Sequence, residues 1–202
     1  MDRAVFLDRD GVINELVYYT EHGVVDSPFT VQQFKLCPGV PDAVKLLNNK
    51  GFKVIVVSNQ PGVAKNHFTM ETLRLIDAKM KAELSARGAF LDGIYYCLHH
   101  PEGENNEYRR HCNCRKPQPG LLLQAAADFD LDLAQCYMVG DNLTDIKAGK
   151  SAGCKTILIG TMKCEVCHMM EREGTKPDAI ASRLMAAAAT ILNKEGIYAD
   201  LH

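Results

Sequence analysis

The sequence predicts an α/β fold, in which a doubly wound and mostly parallel sheet carries helices on both faces. Five short apolar runs support this prediction, because strands that are buried on both faces lack the alternation of polar and apolar residues. These runs are Ala4–Leu7, Val54–Val57, Gly93–Tyr96, Tyr137–Val139 and Thr156–Ile159. Segments with helical periodicity separate them, and such alternation is typical of parallel sheets with right-handed crossovers.

Helix signals fill the intervals between these strands. Apolar residues recur every three or four positions, and glycine or proline marks several of the helix ends. The expected helices cover Val40–Asn49, Met70–Arg87, Pro119–Phe129 and Ile146–Ala152. A last helix is expected after Ser182, whose hydroxyl suits the N-terminal cap of a helix.

Length and composition favour one globular domain over residues 1–202. Hydrophobic residues make up 47% and charged residues 24% of the chain, which is close to an average globular composition. Lys and Arg number 23 against 25 for Asp and Glu, so there is no basic field to attract nucleic acid or an anionic membrane. No apolar run reaches the roughly 18 residues of a membrane span, and charges interrupt the N-terminal segment. We therefore expect a cytoplasmic protein without nucleic-acid or membrane partners, and we expect a monomer.

Polar side chains follow the predicted strands at the points where the strands end. Asp8 and Asp10 come directly after the first strand, and Lys116 lies in a long segment after the third. The second strand ends in Ser58-Asn59-Gln60, and the fourth is followed by Asp141 and Asp145. Because ligands of open α/β sheets bind beyond the carboxyl ends of the strands, we expect these side chains to share one crevice.

Together these residues resemble the four motifs of the haloacid-dehalogenase-like phosphohydrolases. The first motif, D-x-D-G-V/T, is matched by residues 8–12, and the second, a hydroxyl residue at a strand end, by Ser58. The third, a basic residue, is matched by Lys116, and the fourth, G-D-x-x-x-D, by residues 140–145. The resemblance covers residues 5 to about 159 and implies the Rossmann-like sheet of that family.

The resemblance implies a magnesium-dependent phosphomonoesterase. Asp8 would be the nucleophile that forms an aspartyl-phosphate, and Asp10 would be the general acid and then the general base. Ser58 and Lys116 would bind the phosphoryl oxygens. A carboxylate that attacks a phosphate dianion meets strong repulsion. This explains why the family needs Mg²⁺, held by Asp8, by Asp141 and by the backbone carbonyl of Asp10.

Three cysteines and a histidine flank a polar stretch in the segment after the third strand. Cys97 and His99 precede this stretch, and Cys112 and Cys114 follow it. Three thiolates and one imidazole complete a tetrahedral zinc site without an open position, and such a closed site is structural. We therefore predict that Zn²⁺ pins a loop insertion over about residues 97–114, which lacks apolar residues of its own. The competing ligands are His100 and, less favoured, His111.

The pattern C-x-H…C-x-C-R-K-P-x-P-G also resembles a branch of the family without a large cap domain. This branch includes heptose bisphosphate phosphatases, and the histidinol-phosphate phosphatases are related to it. The resemblance implies a small phosphorylated sugar as substrate. It also implies that Arg115 contacts this substrate, since a guanidinium binds phosphate through two parallel hydrogen bonds. The other expected substrate contacts are Asn59, Gln60 and Lys65.

Two features depart from the heptose branch, and alternatives stay open. Lys65 stands where that branch usually carries an arginine, and the loop after the first motif is longer, over residues 15–37. The alternative substrate is histidinol phosphate, and the alternative of another class is a catalytically silent, zinc-stabilised binding module. A nucleic-acid 3′-phosphatase would need a basic groove, which the charge balance does not indicate.

A further cysteine pattern lies near the C-terminal end. Cys164-x-x-Cys167-His168 matches the attachment site of a c-type haem. Such attachment normally takes place outside the cytosol. We therefore interpret these residues as free thiols in the loop after the last strand.

Overall fold

This computed structural model describes residues 2–160 and 164–197. Within these ranges the chain forms eight strands and six α-helices. The strands are β1 (Ala4–Leu7), β2 (Val17–Tyr19), β3 (Val24–Asp26), β4 (Lys53–Asn59), β5 (Gly93–Cys97), β6 (Tyr137–Gly140), β7 (Lys155–Ile159) and β8 (Ala179–Ala181). Six of them form one sheet in the order β5-β4-β1-β6-β7-β8, and every neighbouring pair is parallel. The predicted doubly wound α/β class is therefore confirmed.

Helices cover both faces of this sheet. They are α1 (Val40–Asn49), α2 (Met70–Ser85), α3 (Gly120–Phe129), α4 (Leu143–Ala152), α5 (Cys164–Glu173) and α6 (Leu184–Lys194). On one face, Val5 and Leu7 of β1 pack in a core with α1, α2 and α6. On the other face, Phe6 packs in a second core with α3 and α4. Successive side chains of β1 point to opposite faces, and both faces are buried. Every residue of the strand is therefore apolar.

Local side-chain contacts fix the start of two helices near the carboxyl edge of the sheet. Thr69 precedes α2, and its hydroxyl accepts a hydrogen bond from the backbone N–H of Thr72 over 3.1 Å. Asn142 and Asp145 form a reciprocal capping box at the start of α4. Helix α4 therefore begins three residues before the predicted start, directly after β6.

Four sequence predictions need correction. The sheet has a sixth strand, β8, whose three residues are too few to show a period. The long loop after the first motif contains the antiparallel hairpin of β2 and β3. Cys164, Cys167 and His168 lie in helix α5 and not in a loop. Ser182 does not cap α6, since Arg183 occupies the cap position and makes no capping side-chain bond.

The strand order places a switch point between β1 and β6. From β1 the chain adds β4 and β5 on one side, and it then returns to add β6, β7 and β8 on the other. Crossovers leave the sheet in opposite directions at such a point and open a crevice beyond the carboxyl ends of the strands. Within the described ranges, no helix combines the length and the apolar character that crossing a membrane requires.

Candidate active site

Three carboxylates meet at the switch point between β1 and β6. Asp8 follows β1, whereas Asp141 and Asp145 follow β6, and the nearest carboxylate oxygens of the three lie within 4.8 Å of one another. Gly11 makes room for this approach, because a Cβ at this position would lie 2.0 Å from Asp141 Oδ2. Its φ of +82° is also a conformation that favours glycine. The structure thus brings together the acidic residues that lie far apart in the sequence.

The Lys116 ammonium is buried among these carboxylates. Nζ lies 2.6 Å from Asp145 Oδ1 and 2.9 Å from Asp8 Oδ1, and it donates a hydrogen bond to the Val57 carbonyl over 2.9 Å. The side chain is only 1% exposed. Burial disfavours a charged lysine, but the Asp145 and Asp8 carboxylates outweigh it and raise the pKa of Lys116. Lys116 is therefore a fixed positive charge beside the predicted nucleophile.

The acidic cluster fits a hard divalent cation. Burial, and then repulsion by the Asp8 and Asp145 carboxylates, raises the pKa of Asp141 to about 7. Burial is the larger of the two causes, and the repulsion reflects the negative charge of the neighbouring carboxylates. Mg²⁺ prefers oxygen ligands of this kind, and Asp8 and Asp141 offer them on the side that faces the cavity.

Asp10 has a different set of partners from Asp8. Its Oδ1 accepts hydrogen bonds from Arg9 Nη2 over 3.1 Å and from Asn14 Nδ2 over 3.0 Å. Its Oδ2 accepts from Gln60 Nε2 over 2.6 Å. The carboxylate is therefore held from beneath the cavity, and Asp10 still lines that cavity.

Residues at the end of β4 support this arrangement. Ser58 lines the cavity, and its Oγ accepts a hydrogen bond from Gln60 Nε2 over 3.2 Å. Asn59 pairs with the backbone of Lys116, donating to its carbonyl and accepting from its N–H, each over 3.0 Å. Gln60 is 1% exposed, is not among the residues that line the cavity, and donates a hydrogen bond to Asp10 Oδ2.

The cavity at the switch point has a volume of about 380 Å³. Arg115 lies on its rim next to Lys116, whereas Lys65 is not among its lining residues. The hairpin supplies an apolar wall through Leu16 and Val25, both of which are exposed to solvent. Polar groups of Asp26, Ser27, Asn142 and Thr144 complete the lining. The loop of residues 15–37 is thus part of the site.

The predicted zinc ligands also converge. The three Sγ atoms of Cys97, Cys112 and Cys114 lie 3.3–3.5 Å apart, and His99 Nδ1 lies 3.3 Å from Cys114 Sγ. A tetrahedral site with Zn–S bonds of about 2.3 Å places its sulfurs about 3.8 Å apart, so a small expansion accommodates the ion. Burial, and then the Arg110 guanidinium, lowers the pKa of His99 and favours the neutral imidazole that binds a metal.

Comparison with known proteins shows where this chain belongs. The model of the HAD-hydrolase-like family matches residues 113–187. An Escherichia coli K12 protein named D-glycero-beta-D-manno-heptose-1,7-bisphosphate 7-phosphatase is 43% identical over 161 residues, which cover 79% of this chain and 80% of the relative. A protein of the same name from Haemophilus ducreyi is 42% identical and matches 80% of this chain and 85% of its own length. The chain belongs to the haloacid-dehalogenase-like phosphatases.

Solved structures of this family agree with that assignment. The D,D-heptose 1,7-bisphosphate phosphatase of B. bronchiseptica, solved with magnesium and phosphate, superposes with a TM-score of 0.78 at 30% identity. The superposition covers 96% of this chain and 99% of that one. A phosphatase of the same description from Burkholderia thailandensis gives 0.65 at 26% identity, with 95% and 99% covered. The resemblance predicted from the four motifs, and the phosphatase class that it implies, are confirmed.

Sequence reasoning missed two residues of this phosphatase site. Arg9 lies within the first motif and Asn14 lies two residues after it, and both side chains donate hydrogen bonds to Asp10. Arg9 offers one signal, because it is a charged residue only two positions after a strand that is buried on both faces. The spacing of Asn14 from Asp10 gives no such signal, since the contact depends on the tight turn between them.

Proposed function

We propose that this chain removes a phosphate group from a heptose bisphosphate by way of a covalent phosphate on Asp8. One observation carries the proposal. Asp8 is paired with the buried ammonium of Lys116 at 2.9 Å, inside a cavity that Asp10 and Asp141 also line. A nucleophile, a cation for the phosphoryl oxygens and a group for the leaving-group proton are the three requirements of phosphoryl transfer through an enzyme carboxylate.

In the first step, the Asp8 carboxylate oxygen bonds to phosphorus while the bond from phosphorus to the sugar oxygen breaks. Asp10 gives its proton to that departing oxygen, so that an alcohol and not an alkoxide leaves. Lys116 and the Ser58 hydroxyl stabilise negative charge on the phosphoryl oxygens. Asn59 keeps Lys116 in place through its two hydrogen bonds to the lysine backbone.

In the second step, water attacks the phosphorus of the aspartyl-phosphate, and Asp10 accepts the proton of this water. The bond from phosphorus to Asp8 breaks, inorganic phosphate leaves, and Asp8 is again a carboxylate. Because Asp10 donates a proton in the first step and accepts one in the second, it returns to its starting state after one turnover.

Two metals are part of the proposal. Mg²⁺ would be held by Asp8, Asp141 and the Asp10 carbonyl, and when bound it neutralises charge between the nucleophile and the phosphate. Zn²⁺ would be held by the cluster of Cys97, His99, Cys112 and Cys114. The zinc site ends one residue before Arg115, so it would fix the segment that presents both Arg115 and Lys116.

The names of the relatives support the heptose substrate. Arg115 on the cavity rim is a guanidinium suited to a second phosphate group, and the hairpin provides Leu16 and Val25 for the carbon skeleton. The open cavity, without a large cap domain, leaves room for the non-reacting end of the substrate. A monomeric state and a cytoplasmic location stay predictions.

An assay of phosphate release tests the proposal. We expect the wild-type protein with Mg²⁺ to release one phosphate from D-glycero-D-manno-heptose 1,7-bisphosphate, and to release less than about a tenth as much per unit time from histidinol phosphate. A chelator should stop the reaction, and added Mg²⁺ should restore it. Asp8→Asn should fold normally and lose activity on both substrates. Full activity of Asp8→Asn contradicts the covalent mechanism, and faster turnover of histidinol phosphate contradicts the substrate.

A further inference from the structure

A buried guanidinium lies directly beneath the proposed active site. The Arg9 side chain is 0% exposed, although it belongs to the turn that leaves β1. Arg9 Nε and Nη2 donate hydrogen bonds to Asp10 Oδ1 over 3.3 and 3.1 Å, and Nη2 lies 3.2 Å from Asp10 Oδ2. Removal of a charge from water is unfavourable unless the charge is paired and hydrogen-bonded. The pairing explains how Arg9 is tolerated, and it fixes the plane of the Asp10 carboxylate.

Gln60 connects the same two side chains, and Arg9 forces its orientation. Gln60 Oε1 accepts a hydrogen bond from Arg9 Nη2 over 2.9 Å, and Nε2 donates to Asp10 Oδ2 over 2.6 Å. Because a guanidinium only donates, Oε1 must face Arg9 and Nε2 must face Asp10. The amide therefore delivers an N–H to one chosen oxygen of the carboxylate.

A second pair of residues, from α2 and β5, lies next to the buried Arg9 Nη1, which finds no hydrogen-bond partner among the described residues. The Tyr96 hydroxyl donates to Asp77 Oδ1 over 2.6 Å, and the same carboxylate oxygen lies 4.0 Å from Arg9 Nη1. The Arg9 guanidinium carbon lies 5.6 Å from the centre of the Tyr96 ring, within the range of a cation–π contact. We call Arg9, Gln60, Asp77 and Tyr96 the Arg9 brace. None of the four lines the cavity.

The two aspartates of the first motif pair with different cations, and the brace supplies the one for Asp10. Asp8 is paired with Lys116 at 2.9 Å, whereas Asp10 is paired with Arg9 at 3.1 Å. An aspartate in a turn has several rotamers of similar energy unless contacts select one. A group that transfers protons must be held within about 0.5 Å of its working position, and fixed neighbours usually supply that precision.

We propose that Arg9 and Gln60, braced by Asp77 and Tyr96, are positioning residues that fix the Asp10 carboxylate for proton transfer. The inference rests on the proposed function, in which Asp10 is both the proton donor and the proton acceptor. It extends the active site through the interior to α2, a helix that carries none of the four motifs.

The test is a double-mutant cycle between Gln60 and Asp10, with heptose 1,7-bisphosphate as substrate, or p-nitrophenyl phosphate if only the latter is turned over. We expect Gln60→Leu to lower kcat by about tenfold to a hundredfold, a part of the usual contribution of general acid–base catalysis. KM should change less than about twofold, since the amide does not contact substrate. In an Asp10→Asn background, the same substitution should lower kcat much less, by no more than about twofold to threefold, because the 2.6 Å bond to the carboxylate is gone and only the longer bond to Ser58 Oγ, at 3.2 Å, is left to lose.

Thr156→Val provides a matched control. Thr156 lies on β7, is as buried as Gln60, and donates from its hydroxyl to Asp178 over 2.8 Å, outside the brace and the cavity. This control should leave kcat within about twofold of the wild type. A fall in kcat of equal size in both backgrounds overturns the inference, and so does a fall that the control matches.

Tyr96→Phe keeps the inference testable if Gln60→Leu does not fold. It removes one hydroxyl and no charge, and in the same cycle we expect a loss in kcat of about twofold to tenfold that disappears in the Asp10→Asn background. An unchanged kcat overturns the inference in that case. A wild-type protein without activity on any phosphate ester contradicts the proposed function instead, so the two failures are distinguishable.

Discussion

Replacement of Asp145 by asparagine tests a buried carboxylate that both pairs with Lys116 and caps helix α4. Asp145 Oδ1 lies 2.6 Å from Lys116 Nζ, and Oδ2 accepts a hydrogen bond from the Asn142 backbone N–H over 3.0 Å. An amide of the same shape has only one acceptor oxygen, so one of these two donors must face an NH₂ group. Asp145→Asn therefore either weakens the support of Lys116 or removes half of the capping box of α4.

The structure limits the size of this effect. Loss of a helix cap lowers stability by about 0.5–2 kcal/mol, and removal of one partner from a buried ion pair lowers it by about 3–5 kcal/mol. Lys116 keeps the Asp8 carboxylate and the Val57 carbonyl, each at 2.9 Å, so its charge is not left without partners. We therefore expect a loss of about 2–3 kcal/mol in the free energy of unfolding, which lowers Tm by about 4–12 °C for a chain of this size.

Thermal unfolding followed by circular dichroism measures the shift, and kcat measured below Tm should fall because Lys116 is less well placed. Asp128→Asn is the matched control, since it makes the same chemical change at an exposed residue, where Asp128 Oδ2 accepts a hydrogen bond from the Tyr95 hydroxyl over 2.7 Å. The control should lower stability by less than about 1 kcal/mol. A Tm for Asp145→Asn equal to that of the control, together with full kcat, would refute this reasoning.

Three other substitutions test separate parts of the structure. Gly11→Ala places a Cβ 2.0 Å from Asp141 Oδ2, so a magnesium titration of activity should give a half-saturating concentration at least about tenfold higher; an unchanged value contradicts this. Glu195→Gln removes a carboxyl group. In the wild type, the Tyr137 hydroxyl and nearby cations hold the pKa of this group below its ordinary value of 4.5. Its stabilisation is present above pH 4.5 and is lost as the pH falls through the lower folded-state pKa, so the Tm difference from wild type should be largest near neutrality and shrink below about pH 4. Cys112→Ser should lower both the zinc content by elemental analysis and Tm, whereas zinc content equal to wild type contradicts the ligand assignment.

The position of the active site could be predicted because it depends on strand order more than on side-chain detail. Apolar runs locate the strands, and residues directly after a parallel strand lie at its carboxyl edge. Asp8 and Asp141 therefore had to approach one another once β1 and β6 became neighbours. The convergence of Cys97, His99, Cys112 and Cys114 was predictable for a similar reason, since Cys97 and His99 are fixed by the end of β5.

Other features depend on contacts that leave no pattern along the chain. The strands of the hairpin have three residues each, too few for a period to appear, and the hairpin is held by Tyr19, whose ring stacks on Phe29 and whose hydroxyl donates to the Ser27 carbonyl over 2.9 Å. Gln60 was predicted as a substrate contact, and its hydrogen bonds to Arg9 and Asp10 are visible only in the folded structure. Both cases need the folded structure, since the partner defines the role.

The charges at the switch point explain why the site fits a divalent cation. Three carboxylates converge there, from Asp8, Asp141 and Asp145, and Asp10 lines the same cavity. Among the residues that the structure describes, their cationic partners are Lys116 and Arg9. Two negative charges are left in a partly buried cavity, and burial together with repulsion by Asp8 and Asp145 raises the pKa of Asp141. A monovalent ion would leave one charge uncompensated, and a third basic side chain would occupy the space that the phosphate needs. A small divalent cation would remove the excess, so the carboxylates that repel one another at this site are the ones that prepare it for metal and phosphate together.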